Sequence, residues 1–133
     1  MIPASKHKKV LVIDNDTDIL DIMQEALVYE GYEVNSLLEV DNIFPEIMQY
    51  KPDVIILDYL LNGINGGELC HQIKINHHTS KLPVILISAY PKVLQSLGSY
   101  GCNMFIPKPF DLDQLVESIQ SLTGDNPQSL TAC

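Results

Sequence analysis

The sequence predicts a doubly wound α/β domain, a five-stranded parallel sheet with helices on both faces. Three observations predict it. Residues 10–13, 54–57 and 84–87 are continuous apolar runs without polar alternation, the pattern of strands buried on both faces. Strand-like and helix-like periodicities alternate five times, and right-handed crossovers then leave a parallel sheet covered on both sides. The three apolar runs also lead directly into Asp14, Asp58 and Ser88, so polar chemistry collects where strands end.

Along the chain, Val10-Leu11-Val12-Ile13 is the first strand and runs into Asp14-Asn15-Asp16. Ile19, Leu20, Met23, Ala26 and Leu27 then share one stripe at helical spacing. Asp16 or Thr17 suits the start of that helix and Gly31 the position just past its end. Residues 32–37 read as a short strand. Val40, Ile43, Phe44, Ile47 and Met48 form a second helical stripe, interrupted by a Pro45 that obscures its start. Met23 and Met48 are both expected in the core.

Pro52 precedes the central run 54–57, which closes on Asp58 and a loop, Asn62-Gly63-Ile64-Asn65-Gly66-Gly67. A helix follows with Leu69, Cys70 and Ile73 inward. Pro83 opens the strand over 84–87. Residues 90–100 carry only Val93, Leu94 and Leu97, which predicts a short, weakly held helix. Met104-Phe105-Ile106 is the fifth strand and ends at Pro107-Lys108-Pro109. Asp111 with Gln114 resembles a capping box, ahead of an amphipathic helix bearing Leu112, Leu115, Val116, Ile119 and Leu122 and stopped by Gly124.

Composition narrows the function. The chain has 133 residues, one domain by size, and its 46% apolar content excludes a disordered polymer. A net charge of -9 argues against nucleic acid as a partner, because phosphate binding relies on Lys and Arg. No apolar run approaches the roughly 20 residues that span a bilayer, and the first nine residues lack a signal-peptide core, so no membrane association is expected. Cys70, Cys102 and Cys133 show no metal or redox spacing and read as reduced thiols of a cytoplasmic protein. His71, His77 and His78 read as a solvated helix end, since no third ligand lies at useful spacing.

A parallel sheet sets Asp14, Asp58, Ser88 and Lys108 along one edge. Carboxylates there offer hard oxygen ligands for Mg²⁺. A carboxylate can also attack phosphorus to give an aspartyl phosphate, provided an ammonium and a cation neutralise the equatorial oxygens.

The segments VLVIDND, PDVIILDYLLNGINGGEL, LPVILISA and GCNMFIPKPF carry a resemblance to the receiver domains of two-component response regulators, chemotaxis-regulator-like in form, over about residues 8–122. The resemblance implies a flavodoxin-like (βα)5 receiver fold over residues 8–123, with flexible termini at 1–7 and 124–133. It implies Asp58 as phosphoacceptor, Ser88 as switch hydroxyl and Lys108 as the lysine that senses the phosphoryl group. Mg²⁺ would be held by Asp14, Asn15, Asp58 and the backbone carbonyl of Leu60. Phe105 would be the aromatic switch, the Lys108–Pro109 bond cis, and Leu60 and Tyr90 the positions that tune hydrolysis. The implied partners are a histidine kinase or phosphotransfer protein and an unidentified downstream protein. The chain would be a monomer, or a weak dimer through the face of the fourth helix, fifth strand and fifth helix. It would not be an enzyme beyond catalysing its own phosphorylation and dephosphorylation.

Besides a segment between Ser88 and Lys108 that is slightly short for the family, the sequence departs from the family pattern at three residues. Asn15 replaces the second acid of the metal-holding pair, Asn62 replaces a common loop proline, and Phe105 lacks a hydroxyl. Asn15 supports an alternative expectation, a degenerate receiver that binds partners without phosphorylation. A haloacid-dehalogenase-type phosphatase is disfavoured, because the position two after Asp58 holds Leu60 in place of an acid. With no effector domain expected after the last helix, output is expected to pass to a partner.

Overall fold

In the computed structural model, which describes residues 7–61, 65–90 and 101–124, one sheet carries the chain. The elements are β1 (Lys9–Ile13), α1 (Thr17–Tyr29), β2 (Glu33–Leu37), α2 (Ile43–Tyr50), β3 (Val54–Asp58), α3 (Gly66–Ile75), β4 (Val84–Ser88), β5 (Met104–Pro107) and α4 (Leu112–Thr123). The five strands run parallel in the order β2-β1-β3-β4-β5. The order reverses between β1 and β3, where an open α/β sheet forms a crevice at the carboxyl ends of its strands.

The unbroken apolar runs work because successive side chains point to opposite faces and both faces are covered. Val10, Val12, Val54, Ile56, Ile85 and Ile87 pack on one face against Leu20, Met23 and Leu27 of α1 and Leu115 and Ile119 of α4. Leu11, Ile13, Ile55, Leu57, Val84 and Leu86 pack on the other against Ile43 and Ile47 of α2 and Leu69, Cys70 and Ile73 of α3.

The helix boundaries follow local chemistry. Asp16 caps α1 by accepting from the Asp18 and Ile19 N–H groups, and Gly31 beyond its end has φ +94°. Asn42 caps α2, so Pro45 falls in the first turn, where its missing N–H costs no helical bond. Asp111 caps α4 and Gly124 ends it in the left-handed region. Among the described residues no helix is long and apolar enough to cross a membrane.

One core expectation fails. Met23 is buried, but Met48 is 61% exposed. An eight-residue helix reaches the sheet through a narrow stripe, and Ile43 and Ile47 fill it, one turn apart. Met48, one position on, points away. The helix expected over residues 90–100 and the Asn62-Gly63 turn lie outside the described residues, apart from Tyr90.

Candidate functional site

Strand register assembles the site. Ile13 pairs with Leu57, Asp58 with Ile87 and Ser88 with Pro107. Asp14, Asp58, Ser88 and Lys108 therefore meet at one rim. The Asp14 N–H donates to Leu37 O at 3.1 Å, Tyr59 N–H to Ile87 O at 2.8 Å, and Lys108 N–H to Ser88 O at 2.8 Å. Each functional side chain is thus no more than one residue from a backbone hydrogen bond that ties its strand end to a neighbour. The Lys108–Pro109 bond is cis, as the resemblance implies.

The Lys108 ammonium lies 3.1 Å from Asp58 Oδ1 and 3.2 Å from Asp14 Oδ2. Asp14 is 1% exposed and Asp58 5%. Asp14 is further fixed by the Asp16 N–H, which donates to its Oδ1 at 2.9 Å. Asp16 thus serves two neighbours, since its own carboxylate caps α1 while its amide orients Asp14. Ser88 is buried, and its Oγ accepts from the Tyr90 N–H at 2.8 Å, which leaves the hydroxyl hydrogen to donate elsewhere.

Two carboxylates and one ammonium leave a net negative charge in a poorly solvated place. Burial and the adjacent Asp14 hold the Asp58 carboxyl above the usual range, against the Lys108 ammonium and the Tyr59 N–H, which favour its ionised form. Burial works against the charge of Lys108, but the two carboxylates overcome it and hold the ammonium above its ordinary value. The net excess of negative charge and the hard oxygen donors suit a small divalent cation. Among the described residues no three His, Cys, Asp or Glu side chains cluster, so such a cation would need ligands beyond carboxylates.

A glycine expected in the loop before α3 sets the floor of the site. A Cβ on Gly66 would collide with the Asp58 carbonyl oxygen, and the Gly66 N–H donates to Tyr59 O at 2.7 Å. The first turn of α3 therefore abuts the end of β3 through bare backbone. The Gly66-Gly67 pair ahead of an apolar helix is the sequence signal of that approach.

The remaining candidates divide by position. Asn15 is exposed beside the acid pair, and Leu60 and Tyr90 are 48% and 52% exposed at the rim. Phe105 is half-buried, packed on the α2–α3 side of the sheet. His77 and His78 are exposed with rings 4.5 Å apart, edge to face, consistent with a solvated helix end.

Residues 10–120 match the family model described as response regulator receiver domain. Among characterised proteins, the phosphate regulon transcriptional regulatory protein PhoB of Rhizobium meliloti is 26% identical over 116 residues, covering 86% of this chain and 51% of that protein. The response regulator ArlR of Staphylococcus aureus is 27% identical over 122 residues, covering 90% and 54%. The chain thus spans about half the length of these relatives. A putative response regulator from Chloroflexus aurantiacus superposes with a TM-score of 0.79 at 26% identity, covering 90% of this chain and 99% of its own. The response regulator TrrA of Thermotoga maritima, solved in complex with Mg²⁺ and BeF, gives 0.77 at 28%, covering 86% and 98%. The receiver domain of NtrX from Brucella abortus gives 0.76 at 30%, covering 88% and 99%.

Proposed function

The chain belongs to the family of response regulator receiver domains, and on that premise we propose that Asp58 is the acceptor of a phosphoryl group from a histidine kinase or phosphotransfer protein. Receiver domains are signalling domains rather than conventional enzymes. The observation that carries the proposal is the ammonium of Lys108 set 3.1 Å from Asp58 Oδ1 and 3.2 Å from Asp14 Oδ2. In the transfer, an Asp58 carboxylate oxygen forms the new bond to phosphorus while the donor's N–P bond breaks. Lys108 neutralises charge on the transferring oxygens, and Ser88 donates its remaining hydrogen to one of them.

The donor set fits Mg²⁺, which would be held by Asp14, Asn15, Asp58 and the Leu60 carbonyl. When bound it would neutralise phosphoryl oxygens that two carboxylates would otherwise repel. Ser88 and Phe105 form the switch: recruiting the Ser88 hydroxyl toward the phosphoryl group vacates space on the packed face that the Phe105 ring can enter. Lacking a hydroxyl, Phe105 couples by packing alone. The receiver unit is assigned to residues 8–123, in a cytoplasmic setting, with output through a downstream protein.

The amide of Asn15, where the family pattern has a second acid, favours one second reading, a degenerate receiver that binds partners without phosphorylation. Intact mass after treatment with acetyl phosphate and Mg²⁺ separates them. The expected result is one added phosphoryl group, absent in Asp58→Asn. A folded protein that gains none supports the degenerate reading.

Leu60 and Tyr90 stand two residues past Asp58 and Ser88 and are about half exposed, and on this reading their bulk would screen the phosphoryl group from water. Replacing both by Ala is expected to shorten the phosphoryl half-life by about tenfold, a barrier change of roughly 1.4 kcal/mol. An unchanged dephosphorylation rate would remove both from the mechanism.

A further inference from the structure

Remote from the phosphoacceptor rim, at the opposite edge of the sheet, the fold brings together two cysteines separated by 31 intervening residues of sequence. Cys70 is fully buried in the middle of α3. Cys102 is half-buried, two residues before β5. Both belong to the apolar cluster between the sheet and α2–α3. Their proximity follows from backbone placement. Lys74 lies one turn beyond Cys70 on the same helix face, and a Cβ on Gly101 would sit 3.4 Å from the Cβ and Cγ of Lys74. Gly101, at φ +83°, therefore lays its segment directly against the 70/74 face and delivers Cys102 to it. Asn103 anchors that segment twice, its N–H donating to Val84 O and its side-chain oxygen accepting from the Val84 N–H, both at 2.9 Å.

We propose that Cys70 and Cys102 form a peroxide-responsive dithiol, which closes to a disulfide joining α3 to the lead-in of β5. The two thiols differ in the way such a reaction requires. Cys102 is the more exposed, and the Cys70 thiol, the N–H groups of Met104 and Cys102, and the Lys74 ammonium hold its thiol below the ordinary value against the opposing effect of burial. Cys102 and burial push Cys70 up, so it stays a thiol until a partner sulfur is presented. The Cys102 thiolate attacks hydrogen peroxide, forming an S–O bond as the O–O bond breaks and the released hydroxide takes up a proton as water. The Cys70 sulfur then attacks the sulfenic sulfur, its proton leaving with the hydroxyl as a second water. Two thiols are oxidised and one peroxide is reduced to two waters, and a small dithiol reverses the change. A pair of this kind in a reducing compartment senses oxidant rather than stapling the fold.

The test uses the full chain carrying Cys133→Ser, so that only the proposed pair remains. After native treatment with hydrogen peroxide, denaturation and alkylation, both thiols are expected to be lost, with a Cys70–Cys102 cross-linked peptide in a monomeric product. Dithiothreitol is expected to restore both. In a second arm Cys70→Ser is expected to stop at a Cys102 sulfenic acid that dimedone captures. The Cys133→Ser protein answers the question even if that second variant fails to fold. A product in which Cys70 remains alkylatable while Cys102 proceeds to sulfinic acid, or a covalent dimer, overturns the proposal.

Discussion

Asn15 shows how one side chain sets the electrostatics of a site. It stands beside Asp14 with an amide where a second acid would add a negative charge, and neighbouring Asp16 already caps α1. Its side chain is solvent-exposed, so a carboxylate there would act through a high effective dielectric. Asn15→Asp is expected to tighten Mg²⁺ binding by roughly 1 kcal/mol, about fivefold, measured by calorimetric titration. Equal affinity would mean that this position does not contribute to the cation. Lys108 is the opposite case. Two carboxylates share one ammonium, so neutralising either one leaves the other in a one-to-one ion pair.

At the scale of elements, the junction of β3 and α3 carries the tightest constraint on the site. The Asp58 carbonyl oxygen occupies the space where a side chain at position 66 would begin. Gly66→Ala must therefore either push α3 away from the sheet or displace the end of β3. The expected cost is about 2 kcal/mol, read from urea unfolding, with a matching fall in the rate of phosphorylation by acetyl phosphate. A fully stable variant would show that the junction yields cheaply. The β1–α1 junction is built differently, from capping and an amide on a carboxylate, and is open to solvent.

At the scale of the whole molecule, function opposes stability. Burial and Asp14 raise the proton affinity of Asp58 above that of the unfolded chain, despite Lys108. A folded pKa above the unfolded one means that stability falls as pH rises from the ordinary carboxylate range through the raised value, and stays lower beyond it. Asp58→Asn is then expected to melt at a higher temperature than the parent at neutral pH without Mg²⁺. The difference should vanish below about pH 4, where the parent carboxyl is protonated in both states. Thermal denaturation across that range checks it, and a variant that is less stable at neutral pH would contradict it. The excess of negative charge that destabilises the resting protein is one that a bound divalent cation would relieve.

By itself the sequence determined the sheet, its covering helices and the acidic rim. Buried parallel strands must be continuously apolar, and their polar ends are then conspicuous in Asp14, Asp58 and Ser88. The one-residue turn of a helix that decides between burial and exposure is finer than that pattern, which is why Met48 is expected in the core and lies outside it. Tertiary structure alone decided the reach of Lys108 to both carboxylates and the meeting of Cys70 with Cys102. Periodicity reports which face a residue occupies within its own element. Distances between elements far apart in the chain depend on how strands register and helices pack, and no local pattern encodes them.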